Sequence, residues 1–147
     1  IDENAMRMCH SHRRIFSQLV GQLIREGKKD KAKAALDYAE KMIPAYNVPY
    51  DFQNGAIQMA EAYYQIGETE KADNIMKALA DKAVEYLTWY LSLSDRHFAI
   101  SAREITEYHL PILNSEVKLM QKYNSELAPV YDKKLDELYQ MCVDRLQ

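Results

Sequence analysis

The sequence predicts an all-α protein, and three observations predict it. Apolar residues recur at three- and four-residue steps along most of the chain, the period of one helix face. Only 4 Gly and 4 Pro interrupt 147 residues, of which 48% are hydrophobic and 28% charged, and runs of strand character are nearly absent. Third, Gly27-Lys-Lys-Asp-Lys-Ala32 recurs as Gly67-Glu-Thr-Glu-Lys-Ala72, 40 residues further on (67 − 27). Each copy lies between two helical stretches, and a repeated helix–turn–helix unit decides architecture before other signals.

The elements follow in order. Phe16, Leu19, Val20, Leu23 and Ile24 give the first helix its apolar face. Gly27 ends that helix, because only glycine enters the left-handed region without strain. Ala32, Leu36, Ala39 and Ile43 mark the second helix, which stops at Pro44. An irregular linker runs to Tyr50, and Asp51 is placed to cap a third helix carrying Ala56, Met59, Ala60 and Tyr63 up to Gly67. From Glu68, two adjacent stripes predict a helix of about 25 residues, apolar over a wide arc. One stripe is Ile75, Leu79, Ala83, Tyr86, Tyr90 and Leu93, the other Met76, Ala80, Leu87 and Leu91. Ser94-Asp95 caps a further helix through Phe98, Ala102, Ile105, Ile112, Leu119 and Tyr123, which Pro111 is expected to kink or split. Asn124-Ser125 starts a last helix with Leu127, Tyr131, Leu135, Leu138, Cys142 and Leu146 on one face. Six to seven antiparallel helices in a single domain, 1–147, are expected.

These residues resemble the tetratricopeptide repeat, a helix–turn–helix unit of about 34 residues. Repeat 1 spans 13–46, where Phe16 and Leu36 fill the space between two helices and Ala32 and Ala39 let them approach. Repeat 2 spans 53–84, and 95–147 forms a helical cap. In such repeats the first helices line a concave groove. By position its lining here is Arg14, Ser17, Gly21, Ile24 and Arg25, then Asn54, Ile57, Glu61, Tyr64 and Gln65. Repeats that clamp a peptide's terminal carboxylate place Lys and Asn at such sites. Ser17, Gly21 and Glu61 stand there instead, so that clamp is not expected.

Three further segments carry a narrower resemblance: Leu23-Ile-Arg-Glu-Gly-Lys-Lys-Asp-Lys-Ala32, Ile43-Pro-Ala-Tyr-Asn-Val-Pro-Tyr50 and Ala60-Glu-Ala-Tyr-Tyr-Gln-Ile-Gly67. Together they resemble the C-terminal region of large bacterial membrane proteins, common in Bacteroidetes, whose membrane part is similar to protein O-mannosyltransferases. That resemblance implies an extracytoplasmic (periplasmic) tail of a longer protein, tethered to a membrane although this segment carries no span of its own. It implies a protein or peptide partner, with catalysis left to the membrane part. The alternative is a free-standing cytoplasmic adaptor that binds peptide segments. The opening Ile1-Asp2-Glu3-Asn4, without an initiator Met, favours a piece of a longer chain.

Charge and motifs leave little room for other chemistry. Residues 1–44 hold nine Lys/Arg against six acids, and residues 45–147 hold ten against 16, for a net −3. The basic run Arg25–Lys33 is interleaved with Glu26 and Asp30 in an acidic chain, which is not the footprint of a nucleic-acid binder. His10-Ser11-His12 would point two imidazoles in different directions on a helix, and Glu104, Glu107 and His109 lack the acid at 106 that a metal-binding helix needs. No metal or other cofactor is expected, and no phosphate loop or nucleophile motif is present. Cys9 and Cys142 have no metal or redox spacing. Trp89 and the 11 tyrosines fall mostly on apolar stripes, so most are expected in the core.

Overall fold

Helix formation starts at a satisfied cap. In the computed structural model, which describes residues 1–147, Asp2 Oδ1 accepts from the Ala5 N–H at 2.9 Å and opens α1, Glu3–Arg25. Then come α2 (Lys29–Met42), α3 (Ala56–Gln65), α4 (Thr69–Leu91), α5 (Asp95–Ile100) and α6 (Ala102–Glu104). A π-helical turn, Ile105–His109, leads into α7 (Leu110–Lys122), and α8 spans Ala128–Leu146. With 102–122 taken as one continuous run, the chain has seven helices and no strand, as the periodicity predicts. It forms two compact units, Ile1–Met76 and Lys77–Gln147, whose boundary falls inside α4. No helix is long and apolar enough to cross a membrane.

In the first unit, α1 ends in a Schellman turn. Gly27, at φ +75°, donates to Ile24 O at 3.0 Å, and Lys28 donates to Leu23 O at 2.8 Å. The turn after α3 repeats this: Gly67 has φ +86°, and Gly67 and Glu68 donate to Tyr64 O and Tyr63 O at 3.1 and 2.9 Å. Ala32, Ala72 and Leu36 are fully buried, which fits helices drawn close by small residues.

The centre of the α1 seam is not the apolar stripe. Leu19 is 48% exposed, while Arg13 and Ser17 are buried beside Val20. The cause is Gly55, φ +86°: a Cβ there would stand 2.9 Å from Arg14 Cα and 3.0 Å from Ser17 Oγ. Backbone meets backbone at this crossing, so a short side chain and the base of a long one occupy it. The rest of Arg13 holds the linker. Its Nη2 donates to Ile43 O and Val48 O at 2.9 and 2.8 Å, its Nη1 donates to Pro49 O at 3.2 Å, and Tyr50 lies 4.7 Å from the guanidinium. Asp51 does not cap α3. Its Oδ1 accepts from the Gln53 N–H at 2.8 Å within a turn, and α3 begins only at Ala56, behind left-handed Gly55.

A polar brace joins α2, α3 and the start of α4. The Tyr63 hydroxyl donates to Asp37 and Glu40, both at 3.1 Å, and Lys71 donates to the same carboxylates at 2.7 and 3.5 Å. Burial, then the two carboxylates, push the Tyr63 phenol far above its ordinary range.

In the second unit Ser94 caps α5 as expected, accepting from the His97 N–H at 3.5 Å. Pro111 does not split the helix. It sits in the first turn of α7, directly after the π turn, whose wider coil accommodates a residue that lacks a donor and crowds the preceding turn. The extra residue in that turn also shifts the register. The buried face beyond it is Leu110, Leu113, Val117 and Met120, one position later than the expected Ile112 and Leu119.

A third Schellman turn follows, with Asn124 (φ +54°) where the first two have glycine. Asn124 and Ser125 donate to Gln121 O and Met120 O at 3.1 and 2.9 Å. The last helix therefore starts later than Asn124-Ser125 suggests, at Ala128. Arg145 mirrors Arg13. It donates to Leu91 O at 2.6 Å and to Leu93 O and Asp95 at 2.9 Å, and lies 4.1 Å from the Phe98 ring.

Candidate functional site

About two turns each of α1 and α3 wall a groove on the first unit, about 380 Å³ in volume. From α1 come Ser17, Gln18, Gly21, Ile24 and Arg25, and from α3 come Gln58, Glu61, Ala62 and Gln65. These are helical spacings of three, four and seven, so each set is one face. The structure thus brings together six of the ten sequence-derived lining residues. The other four stand outside. Arg14 is exposed where α1 passes Gly55, and Asn54 lies in the turn before the late start of α3. Ile57 is half-buried away from the groove, and Tyr64 is turned inward, its hydroxyl donating to Asp73 at 2.6 Å.

Polar side chains outnumber apolar ones in the groove, and two of them are prearranged. Ser17 Oγ donates to Arg14 O at 2.6 Å, which holds the hydroxyl against its own helix. Arg25 donates from Nε and Nη2 to Gln22 Oε1 at 3.3 and 2.8 Å, and Gln22 in turn donates to Glu26 at 2.9 Å. That chain fixes the guanidinium plane over the groove.

Gly21 forms the floor. A glycine inside a helix costs about 1 kcal/mol relative to alanine. No close helix contact calls for it, because the nearest atom a Cβ would meet is Arg25 Nη1, at 3.6 Å. The remaining polar groups are the Glu61 carboxylate, an acceptor, and the amides of Gln18, Gln58 and Gln65, each able to donate and accept. Such a set matches the alternating N–H and C=O of an extended main chain. Ser17 shares the groove with one carboxylate, Glu61, and with no imidazole.

Elsewhere, no group of three or more His, Cys, Asp or Glu side chains is placed to hold a metal ion. Cys9 and Cys142 are free thiols. The second unit carries an apolar groove of about 610 Å³ between the π turn, α7 and α8, walled chiefly by Leu110, Leu135, Tyr139, Cys142 and Leu146. Its sequence signal is Leu135, Cys142 and Leu146 on the expected apolar face of the last helix, to which Tyr139 adds. Trp89 is not in the core but 56% exposed, and Tyr38, Tyr46, Tyr86, Tyr108 and Tyr139 are exposed with it. Comparison with protein-family models, curated proteins and solved structures finds no match to this chain.

Proposed function

We propose that this chain is a non-catalytic helical docking module of the tetratricopeptide kind, whose α1–α3 groove holds a peptide segment of a protein partner. The observation that carries this is Gly21: an energetically costly residue in mid-helix, called for by no close packing, that keeps the floor of a polar groove open to main-chain approach. The three segments quoted above support a place for the module in the extracytoplasmic part of a glycosyltransferase-like membrane protein. There it docks a partner or acceptor, or braces the transferase.

Panning a random twelve-residue peptide library against the chain tests the groove. Selected peptides are expected to bind Gly21→Leu at least tenfold more weakly, while Gly21→Ala alone stabilises the fold by about 1 kcal/mol. Peptides that bind wild type and Gly21→Leu equally would remove the groove from the proposal. Sugar transfer or hydrolysis by the isolated chain, abolished by a substitution within it, would overturn its non-catalytic part.

A further inference from the structure

Exposed aromatic rings gather on the second unit in a contiguous ridge. His109, in the π turn, sits between Tyr86 and Tyr90 of α4, with ring centroids 5.0 and 5.2 Å away. Trp89 packs edge-on against Tyr90 at 5.0 Å, and Tyr108 edge-on against His109 at 5.2 Å. The outer members stay open to solvent, Trp89 at 56%, Tyr86 at 45% and Tyr108 at 43%. Rings that brace one another lose little freedom when a ligand covers them, which is why tyrosine and tryptophan dominate recognition surfaces. Burial holds His109 below the usual imidazole range, so the ridge carries little charge of its own at neutral pH.

A hollow lies on each flank. One, about 410 Å³, is walled by Tyr86 and Trp89 with Lys82 and Glu85. The other, about 320 Å³, is walled by Tyr108 with Arg103, Glu104 and Glu107. Arg103 is already paired with Glu107 at 2.8 Å, whereas Glu85 and Glu104 enter no ion pair.

We infer that this ridge is a docking site for a proline-rich segment in the polyproline II conformation, carrying a basic residue. Three properties of the surface select that partner. The chain has no strand edge to extend, so an extended ligand that needs ladder hydrogen bonds is excluded. The ridge divides the surface into two hollows, so it offers no continuous trough for an amphipathic helix. A polyproline II helix needs no main-chain partner, is ordered before it binds, and seats its pyrrolidine faces between aromatic rings. Lys82 offsets Glu85 in the first hollow, but the second holds two acids against Arg103, and its Glu104 complements a Lys or Arg beside the prolines.

Trp89 is the chain's single tryptophan, so its fluorescence reports the site directly. The probe is a ten-residue peptide of prolines interrupted by two arginines, titrated into the full chain. The expected result is a saturable change in Trp89 emission with a Kd on the order of 100 μM. Affinity should fall at least tenfold when the arginines are replaced by glutamates, and at least tenfold in Tyr108→Ala. Tyr86→Ala, followed by calorimetry, gives a second variant, and far-UV circular dichroism checks that both fold. An unchanged emission up to several millimolar peptide sinks the inference. Equal binding of the arginine and glutamate peptides removes its charged part. Saturation by maltohexaose but not by either peptide would assign the ridge to carbohydrate and overturn it.

Discussion

Glu116 gives the sharpest test of how this core is held together. It lies on α7 beside Val117, is fully buried, and neither carboxyl oxygen has a hydrogen-bond partner. Burial pushes its carboxyl up from 4.5 to about 8. Below pH 4.5 the group is protonated in both the folded and unfolded chain and costs nothing extra. As pH rises the unfolded chain ionises first, so folding requires proton uptake and stability falls by up to about 1.4 kcal/mol per pH unit. The loss reaches about 3 kcal/mol at pH 7 and levels off near 5 kcal/mol above pH 8.

Glu116→Gln removes the titration while keeping the shape. It should therefore lack this fall with rising pH, lying above wild type at pH 7. At pH 4.5 it should lie slightly below, since the amide leaves two donors unmet at a cost of about 1–2 kcal/mol. Urea unfolding followed by circular dichroism at pH 4.5, 6, 7 and 8 measures this. The pH 7 gap is then about 1–2 kcal/mol, and with a slope of about 2 kcal/mol per molar it is a midpoint shift of about 0.5–1 M. His109, lowered by burial, contributes with the opposite sign, its stabilisation being lost as pH falls, but equally in both proteins. Burial alone would raise Asp37 and Asp81. Hydrogen bonds from Lys33 and Lys71, and from Lys77 and Tyr131, nevertheless bring both below their ordinary range, outside this window. Parallel stability curves for wild type and Glu116→Gln between pH 4.5 and 8 would refute the reasoning.

Three other substitutions probe the backbone seams. Arg13→Met should cost about 3 kcal/mol or more by orphaning the carbonyls of Ile43, Val48 and Pro49, and Arg13→Lys should not restore it because a compact ammonium cannot span all three; urea midpoints and protease cleavage within 44–50 report both. Gly55→Ala should cost about 2–4 kcal/mol, combining left-handed strain with a Cβ forced against α1. Gly67→Ala, with nothing within 4 Å, should cost only the strain, about 1–2 kcal/mol, and equal losses in calorimetry would deny the close approach. Asn124→Gly should raise stability by a few tenths to about 1 kcal/mol by relieving φ +54°, read as a higher melting temperature.

Helix content, the first two turns and the alanine seams were legible because each rests on local chemistry: a period, a glycine that tolerates positive φ, a methyl that admits a neighbour. The third turn has the same hydrogen bonds but was concealed, since Asn124 does the work of glycine and no Lys-Ala pair follows. Six groove residues were legible from the same periodicity. Asn54 was not, because Gly55 delays α3 past Asp51, and Ile57 and Tyr64 lie one position before the face of Gln58, Glu61, Ala62 and Gln65.

The remaining misreadings share one cause. Apolar periodicity assumes that helices meet along their greasiest line and that 3.6 residues per turn persists. Neither holds where the backbone itself sets the contact. At Gly55 the chain passes so close to α1 that Ser17 and the base of Arg13 must lie at the crossing, and Leu19, the better hydrophobe, is turned outward. At the π turn one added residue carries the buried positions from Ile112 and Leu119 to Leu113 and Met120. That same turn holds His109 between Tyr86 and Tyr90 and presents Tyr108 beside it. A single local widening of the helix thus sets the core of the second unit on one face and its aromatic ridge on the other. A sequence pattern read at constant pitch places the buried face one residue out of step.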